Sequence, residues 1–511
     1  MGRRAGRDDH RIMDGQPQST EETQGAQGAE TTVSATSWIP RAATRMVWTL
    51  FLLSVATLVL AVLGRAAWSV PGVVAVDGLT VVMWVVVTFF SGIVHSYSRR
   101  YMAGDRHLDG FFVRILAFTL VVMAMTAADH VALFVATWLG MGLLMASLIG
   151  HERDWVQAQA AAGLARRYFL ASTALLAVGL ATLALATGTT SIAGIVGAVE
   201  TIPRALVVVA IGAILLAAVI QSALFPFHGW IMSSMTAPTP ASALMHAGFV
   251  NAGGILLTRF APVFTAELAA MAVIAVIGAF SALLGQALAL VQTDVKRKLG
   301  SSTVAQMGFM ILQCGLGFFA AAIAHLILHG CYKAYLFLSS GAGVERKAPK
   351  HAKTASLGVP SAAVSLATAA GGGLLFLTLT GKGGEVALDS GLILTLVVVL
   401  TTLHAGRDIL RRTTLAPAVR LVCIPAIVLT AISAYALLFN AVSTMLAGVP
   451  MTSTPTELTP LHALVAGLFV AAYVVMELGW HRSSERLYVT LQNLSQPDPS
   501  TVLTRTEEYN D

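Results

Sequence analysis

The stretch "FPFHGWIMSSMTAPTPASALMHAGFVNAGGILLTRFAP", residues 225–262, sets His228 and His246 among Pro226, Pro238, Pro240 and a run of Ser and Thr. Long apolar segments lie on either side of it. A helix crossing lipid has no water to satisfy a broken backbone, so irregular backbone survives there only beside protein or a water-lined cavity. The stretch therefore reads as an interrupted span bordering a polar cavity.

The rest of the chain fits that setting. Of its 511 residues, 56% are hydrophobic and 11% charged, against about 25% charged in a soluble domain. Mean hydropathy is +0.75. Repeated apolar runs of about 20 residues define a polytopic membrane protein, all-α. We expect about fourteen spans between residues 46 and 480, one of them at 240–260. Residues 1–45 form a polar N-terminal tail, expected to be disordered, and 481–511 a second polar tail. No apolar core follows the N-terminal arginines closely enough for a cleaved signal.

Basic residues follow the span count. Eighteen of them, among them Arg99, Arg100, Lys296–Lys298 and Arg411, fall in loops on one side, and only four on the other. Charge alternation of this kind places the richer side in the cytoplasm, with both termini. The pI near 9.3 thus reflects topology, and nucleic-acid binding is not expected. Cys314, Cys331 and Cys423 have no spacing suited to a metal knuckle or disulfide framework.

A second interruption is expected in "GGGLLFLTLTGKGG", residues 371–384. Paired Gly/Pro-interrupted segments in two halves of a chain point to inverted repeats with an ion path at the breaks. A simple kink or re-entrant loop is the plainer account.

Titratable side chains within spans cost several kcal/mol and are functional candidates. In "AHLILHGCYKAYLFL", His325, His329 and Lys333 are spaced i, i+4, i+8, on one helix face, climbing roughly 12 Å. Such a ladder suits a proton relay. The alternatives are carbonyl-bonded histidines with Lys333 snorkelling, or a metal site, for which no neighbouring carboxylate or cysteine is evident. His246 and Asn251 lie among small residues that favour close helix packing. His228 either borders the cavity or satisfies freed backbone groups. Lys382 lies in the second break or is a flanking anchor, and Asp77 is a span-entry residue or only an N-cap. His95, His404 and Glu477 rank lower. Walker, dinucleotide-binding and nucleophile-elbow motifs are absent, so the chain reads as a conduit, not an enzyme, with no cofactor of its own.

"ALFPFHGWIMSSMTAPTPASALMHA", "TDVKRKLGSSTVAQMGFM" and "AHLILHGCYKAYLFLSSG", with "VDGLT" and "HSYSRRYM", resemble the proton-translocating antiporter-like subunits of respiratory complex I and the Mrp cation antiporters, over roughly residues 75–385. The resemblance implies two inverted five-helix repeats, each with a broken helix. It also implies a proton path through His246, then His325, His329 and Lys333, then Lys382. Two positions depart from the family. Leu139 stands where a glutamate usually follows the tryptophan, and Gln221 where its partner lysine usually lies. Losing both removes the penalty that one unpaired buried charge would carry. A long lateral-helix extension is also missing.

"HAGFVNAGG" and "AQMGFMILQCGLGFFAAAIAHLILHGCYKA" look closer still to the membrane subunit of DAB-type inorganic carbon transporters. That resemblance implies cation flow, expected to be inward protons. The flow would drive conversion of CO2 to bicarbonate in a large cytoplasmic zinc protein resembling β-carbonic anhydrase. The zinc is expected in that partner and not here. A complex I-type pump subunit, a Mrp-type antiporter subunit and a non-conducting scaffold are the competing expectations.

Overall fold

The computed structural model of the chain describes residues 37–64, 68–340, 359–380, 389–412, 417–450, 455–479 and 484–502. Lys382 lies outside them. The chain is a helical membrane protein. Its helices are α1 (Ile39–Val62), α2 (Gly78–Tyr101), α3 (Leu108–Ala127), α4 (Val131–Ile149), α5 (Val156–Thr187), the short α6 (Ile192–Gly197), α7 (Arg204–Gln221) and the short α8 (Gly229–Ser233). Then come α9 (Thr239–Ala247), α10 (Ala252–Arg259), the short α11 (Ala261–Thr265), α12 (Leu268–Val291), α13 (Val295–Gly315) and α14 (Phe319–Ser339). The series ends with α15 (Val359–Leu379), α16 (Gly391–Arg412), α17 (Pro417–Met445), α18 (Pro460–Glu477) and α19 (Glu485–Leu494). One antiparallel hairpin, Trp68–Val70 with Val74–Val76, precedes α2.

Among the described residues, eleven spans are long and apolar enough to cross a membrane. The fourteen expected spans each coincide with a helix or helix pair, and α13, α15 and α16 are the three not among these eleven. α13 opens on Lys296, Arg297 and Lys298, which lowers its hydropathy. In α15 and α16 the described side chains, Ala363–Leu379 and Gly391–His404, are apolar throughout most of their length.

The interrupted span is present, but its break is not at the prolines. Pro238 is the N-cap of α9 and Pro240 lies in its first turn, where a helix has no amide bond to lose. Pro226 lies in the turn before α8. The interruption comes at Gly248, φ −125° and ψ −66°, followed by a 3-10 turn over Phe249–Asn251 before α10 resumes. Asn251 Nδ2 donates to Ala247 O at 2.7 Å, so the side chain satisfies a carbonyl at the break.

The expected second break does not occur at Gly371, Gly372 or Gly373; Gly381, Gly383 and Gly384 lie outside the described residues. α15 runs unbroken through Gly371, Gly372 and Gly373 to Leu379. A Cβ on Gly372 would stand 2.6 Å from Ile432 Cδ1, and one on Gly373 2.6 Å from Val399 Cγ2. These glycines therefore admit neighbouring helices instead of unwinding their own. The rest of that motif, 381–384, lies outside the described residues.

Two helices set the site's frame. α12 carries Gly278 and Gly285 on one face, and α13 carries Gly308 and Gly315. A Cβ on Gly285 would stand 2.3 Å from the Ala305 backbone nitrogen, and one on Gly308 2.3 Å from that of Ala282. Only hydrogen side chains permit such contact, the usual device for helix association without a hydrophobic driving force.

The polar stretch after α18 is partly helical. Ser484 caps α19 by accepting from Leu487 N–H. Beyond it, Asp498 N–H donates to Ser233 Oγ at 3.0 Å, tying this segment to α8.

Candidate functional site

α14 is a continuous helix, so His325, His329 and Lys333 do share a face, as their spacing requires. Relative exposures are 9%, 4% and 0%. Lys333 does not snorkel. Its Nζ donates to Leu299 O at 2.8 Å and to Ser302 Oγ at 3.0 Å, both on the first turns of α13. A desolvated ammonium needs such partners.

His246, at the end of α9, reaches the same turn. Its Nδ1 lies 3.0 Å from Thr303 Oγ1, and Thr303 Oγ1 donates to Leu299 O at 2.9 Å. A hydroxyl has one proton to give. With that proton on Leu299 O, His246 Nδ1 must carry its own hydrogen, which leaves Nε2 bare. Leu299 O joins the two assemblies: it accepts from Lys333 directly and from His246 through Thr303. His246 is fully buried and its ring stacks on Phe337 of α14, with centroids 4.4 Å apart.

The imidazoles on this line are underused by protein. His246 Nε2, His325 Nε2 and both ring nitrogens of His329 are buried with no protein hydrogen-bond partner. Buried polar atoms are normally satisfied, by water where protein does not reach. The His325 and His329 rings are nearly parallel, with centroids 6.0 Å apart.

Thr303→Val keeps the β-branched shape and removes the hydroxyl. It frees the His246 tautomer while leaving Lys333 held by Leu299 O and Ser302. The expected result is about a tenfold loss of ion flux, the equivalent of one hydrogen bond, with little change in thermal stability. Flux assayed in proteoliposomes beside a melting curve checks it.

The other expected residues fall elsewhere. His228 Nε2 donates to Leu494 O at 3.0 Å, so it holds the end of α19, and its Nδ1 is buried with no protein partner. Asn251 serves the break, and its Oδ1 has no protein partner. Gln221 is fully buried at the end of α7, and neither amide atom of its side chain has a protein partner. Leu139 is half-buried on α4. Beside it a neutral chain joins three helices: Trp138 Nε1 donates to Ser172 Oγ, which donates to Ala217 O. Buried neutral hydroxyls and indoles thus mark the first half, where Leu139 and Gln221 replace the usual charges.

Asp77 is an N-cap, accepting from Thr80 N–H at 2.9 Å, and it is more. Arg259, the last residue of α10, donates to both of its carboxylate oxygens, to Thr80 Oγ1 and to Thr126 O. Sequence reasoning counted Arg259 only as a loop charge. The available signal was a lone arginine ending an interrupted span. The pair pins the far half of the broken helix to the start of α2. Arg259→Ala and Asp77→Ala should each cost about 2 kcal/mol, less than for a fully buried pair. The double variant should cost clearly less than their sum, as read from thermal melts.

Residues 128–362 match the sequence model "NADH:quinone oxidoreductase/Mrp antiporter, TM", and residues 66–112 match "NADH-Ubiquinone oxidoreductase (complex I), chain 5 N-terminus". Over these residues the chain is similar to the antiporter-like membrane subunits of complex I and Mrp. It is 36% identical over 323 residues to the probable inorganic carbon transporter subunit DabB1 of Halothiobacillus neapolitanus, covering 58% of this chain and 56% of that one. Identity is 39% over 280 residues to the probable inorganic carbon transporter subunit DabB of Bacillus subtilis, covering 53% and 54%. NADH-quinone oxidoreductase subunit L of Mycobacterium tuberculosis is 36% identical over 274 residues, covering 52% and 43%. The chain spans about half the length of the curated relatives it matches. Among solved structures, the fold resembles a chain of the Mrp complex from Dietzia sp. DQ12-45-1b, with TM-score 0.56, 22% identity and coverage of 90% and 51%. It also resembles a chain of the archaeal membrane-bound sulfane sulfur reductase, with TM-score 0.57, 16% identity and coverage of 91% and 94%.

Proposed function

We propose, on the premise of an antiporter-like membrane domain, that this chain conducts a cation, most simply the proton, as a subunit of an inorganic carbon uptake complex. The observation that supports conduction is the set of buried imidazole nitrogens without a protein partner, His246 Nε2, His325 Nε2 and both of His329, around a buried Lys333. The shared turn of α13 holds His246 and Lys333 in place through Thr303 and Leu299 O. From Lys333 the line continues along α14 through His329 and His325, whose free ring nitrogens suit water-linked transfer. An imidazole takes a proton on one nitrogen and releases it from the other, which makes it a relay element. Lys382 is proposed as the next group, from its motif.

Carbon uptake is favoured over a respiratory pump by Leu139 and Gln221. A pump whose cycle needs a buried Glu/Lys pair cannot run on two neutral side chains. The substrate would be CO2 or bicarbonate, handled by a cytoplasmic, zinc-containing partner resembling β-carbonic anhydrase. This chain would sit in a bacterial plasma membrane with both termini cytoplasmic. The reading also holds that it is no enzyme and needs no cofactor for conduction. The similarity to subunit L supports a second reading, a complex I-type pump subunit, and the Dietzia fold match leaves a Mrp-type antiporter subunit as a third.

Affinity purification of the tagged chain from gently solubilised native membranes separates these. A stoichiometric soluble zinc protein, with bicarbonate uptake that an uncoupler abolishes, is the expected result. Recovery of quinone-reductase or other antiporter subunits instead would overturn the carbon-uptake reading.

A further inference from the structure

Two turns on the basic side of the chain meet at a cluster that the conduction pathway does not use. Asp105 lies in the turn between α2 and α3, and His151 and Glu152 lie between α4 and α5. His151 Nε2 is 2.9 Å from Asp105 Oδ2, and one donor atom from each of Asp105, His151 and Glu152 lies within 4.8 Å of the others. The His107 ring stands edge-on to His151, with centroids 6.2 Å apart. His151 is 1% exposed against the Phe111 ring at 5.2 Å, and its Nδ1 has no protein hydrogen-bond partner.

We propose that Asp105, His151 and Glu152 bind a first-row divalent cation that joins the two turns. One imidazole and two carboxylates form a mixed nitrogen–oxygen donor set, which suits Zn2+ or Mn2+ over Mg2+ or Ca2+. Two ligands about 2.1 Å from an ion and at right angles stand about 3 Å apart, so the Nε2–Oδ2 separation accommodates an ion with little movement. Two carboxylates balance its charge, and the His107 ring stands beside His151. Burial alone would raise the Asp105 carboxyl, but hydrogen bonds from His151 and the His107 N–H hold it below its ordinary value, so it is an anion at neutral pH. Arg114, whose charge is felt by Asp105 and Arg153, is turned away to the Gly110 and Ser147 carbonyls. Spacing alone hides the site, because Asp105 and His151 are 46 positions apart.

The test uses the full chain purified with whatever subunits accompany it, stripped by chelator and then titrated with Zn2+. Bound metal is counted by mass spectrometry, and stability is followed by thermal melting. The wild type should bind one equivalent more than His151→Gln, and Zn2+ should raise its melting temperature but not that of the variant. Glu152→Gln, at an exposed position, should fold normally and bind about tenfold or more weakly. Equal binding by wild type and both variants would overturn the proposal, as would no binding by the wild type. A His151→Gln protein that melts earlier with unchanged metal content would reduce the cluster to a hydrogen-bonded pair.

Discussion

Lys333→Ala lowers cation flux by two orders of magnitude or more while the protein still folds and assembles. Lys333 is buried, with its ammonium divided between Leu299 O and Ser302 Oγ. Alanine leaves a gap between His329 and the α13 turn, and a missing acid–base group typically costs at least about 10²-fold. The deletion removes a buried charge together with its desolvation cost, so stability need not fall. Lys333→Arg sharpens the test. A guanidinium keeps the positive charge but does not release its proton in proteins. If Lys333 hands a proton on, arginine is nearly as damaging as alanine. If Lys333 is only an anchoring charge in a scaffold, arginine restores normal behaviour. Flux in proteoliposomes, with assembly checked by size-exclusion chromatography, distinguishes the two.

Gly308→Leu prevents the folded protein from accumulating. Its Cβ would stand 2.3 Å from the Ala282 backbone nitrogen, and backbone cannot swing aside as a side-chain tip can. Gly308→Ala already costs about 3 kcal/mol, the upper end for overpacking, out of a typical total of about 5–15 kcal/mol. The effect reaches the site because the same helix presents Leu299, Ser302 and Thr303 to His246 and Lys333. Surviving Gly308→Ala protein should therefore conduct poorly as well as melt early. Gly212 on α7 supplies the control, since a Cβ there meets nothing within 4 Å. Gly212→Ala should leave flux unchanged and stabilise the helix by up to about 1 kcal/mol. Melting temperature in detergent and yield after solubilisation measure both.

Local pattern accounts for what the sequence revealed. The ladder of His325, His329 and Lys333 follows from helix periodicity alone, and the apolar runs announced helices at the expected places. Helix interruption was harder to place, because proline and glycine act through context. Pro238 and Pro240 begin α9 instead of breaking it, and the real break waits for Gly248, ten residues beyond Pro238. The glycines of α15 mark close helix packing, which a single sequence cannot distinguish from unwinding. Partners distant in sequence were not legible at all. Thr303 lies 57 positions from His246, and Arg259 lies 182 positions from Asp77. His228 read either as a cavity residue or as a partner for backbone groups, and the backbone it meets, the Leu494 carbonyl, is 266 positions away.

The central claim is that a cation crosses the membrane along His246, Lys333, His329 and His325, with Thr303 positioning His246. The most direct measurement reconstitutes the purified chain, with the subunits that accompany it, into liposomes containing a pH-sensitive dye. A potassium diffusion potential is then imposed with valinomycin. The account predicts acidification or alkalinisation that follows the sign of the potential, well above that of empty liposomes and nearly abolished by Lys333→Ala and Lys333→Arg. Flux no greater than in empty liposomes, or equal in the wild type and both variants, would contradict it.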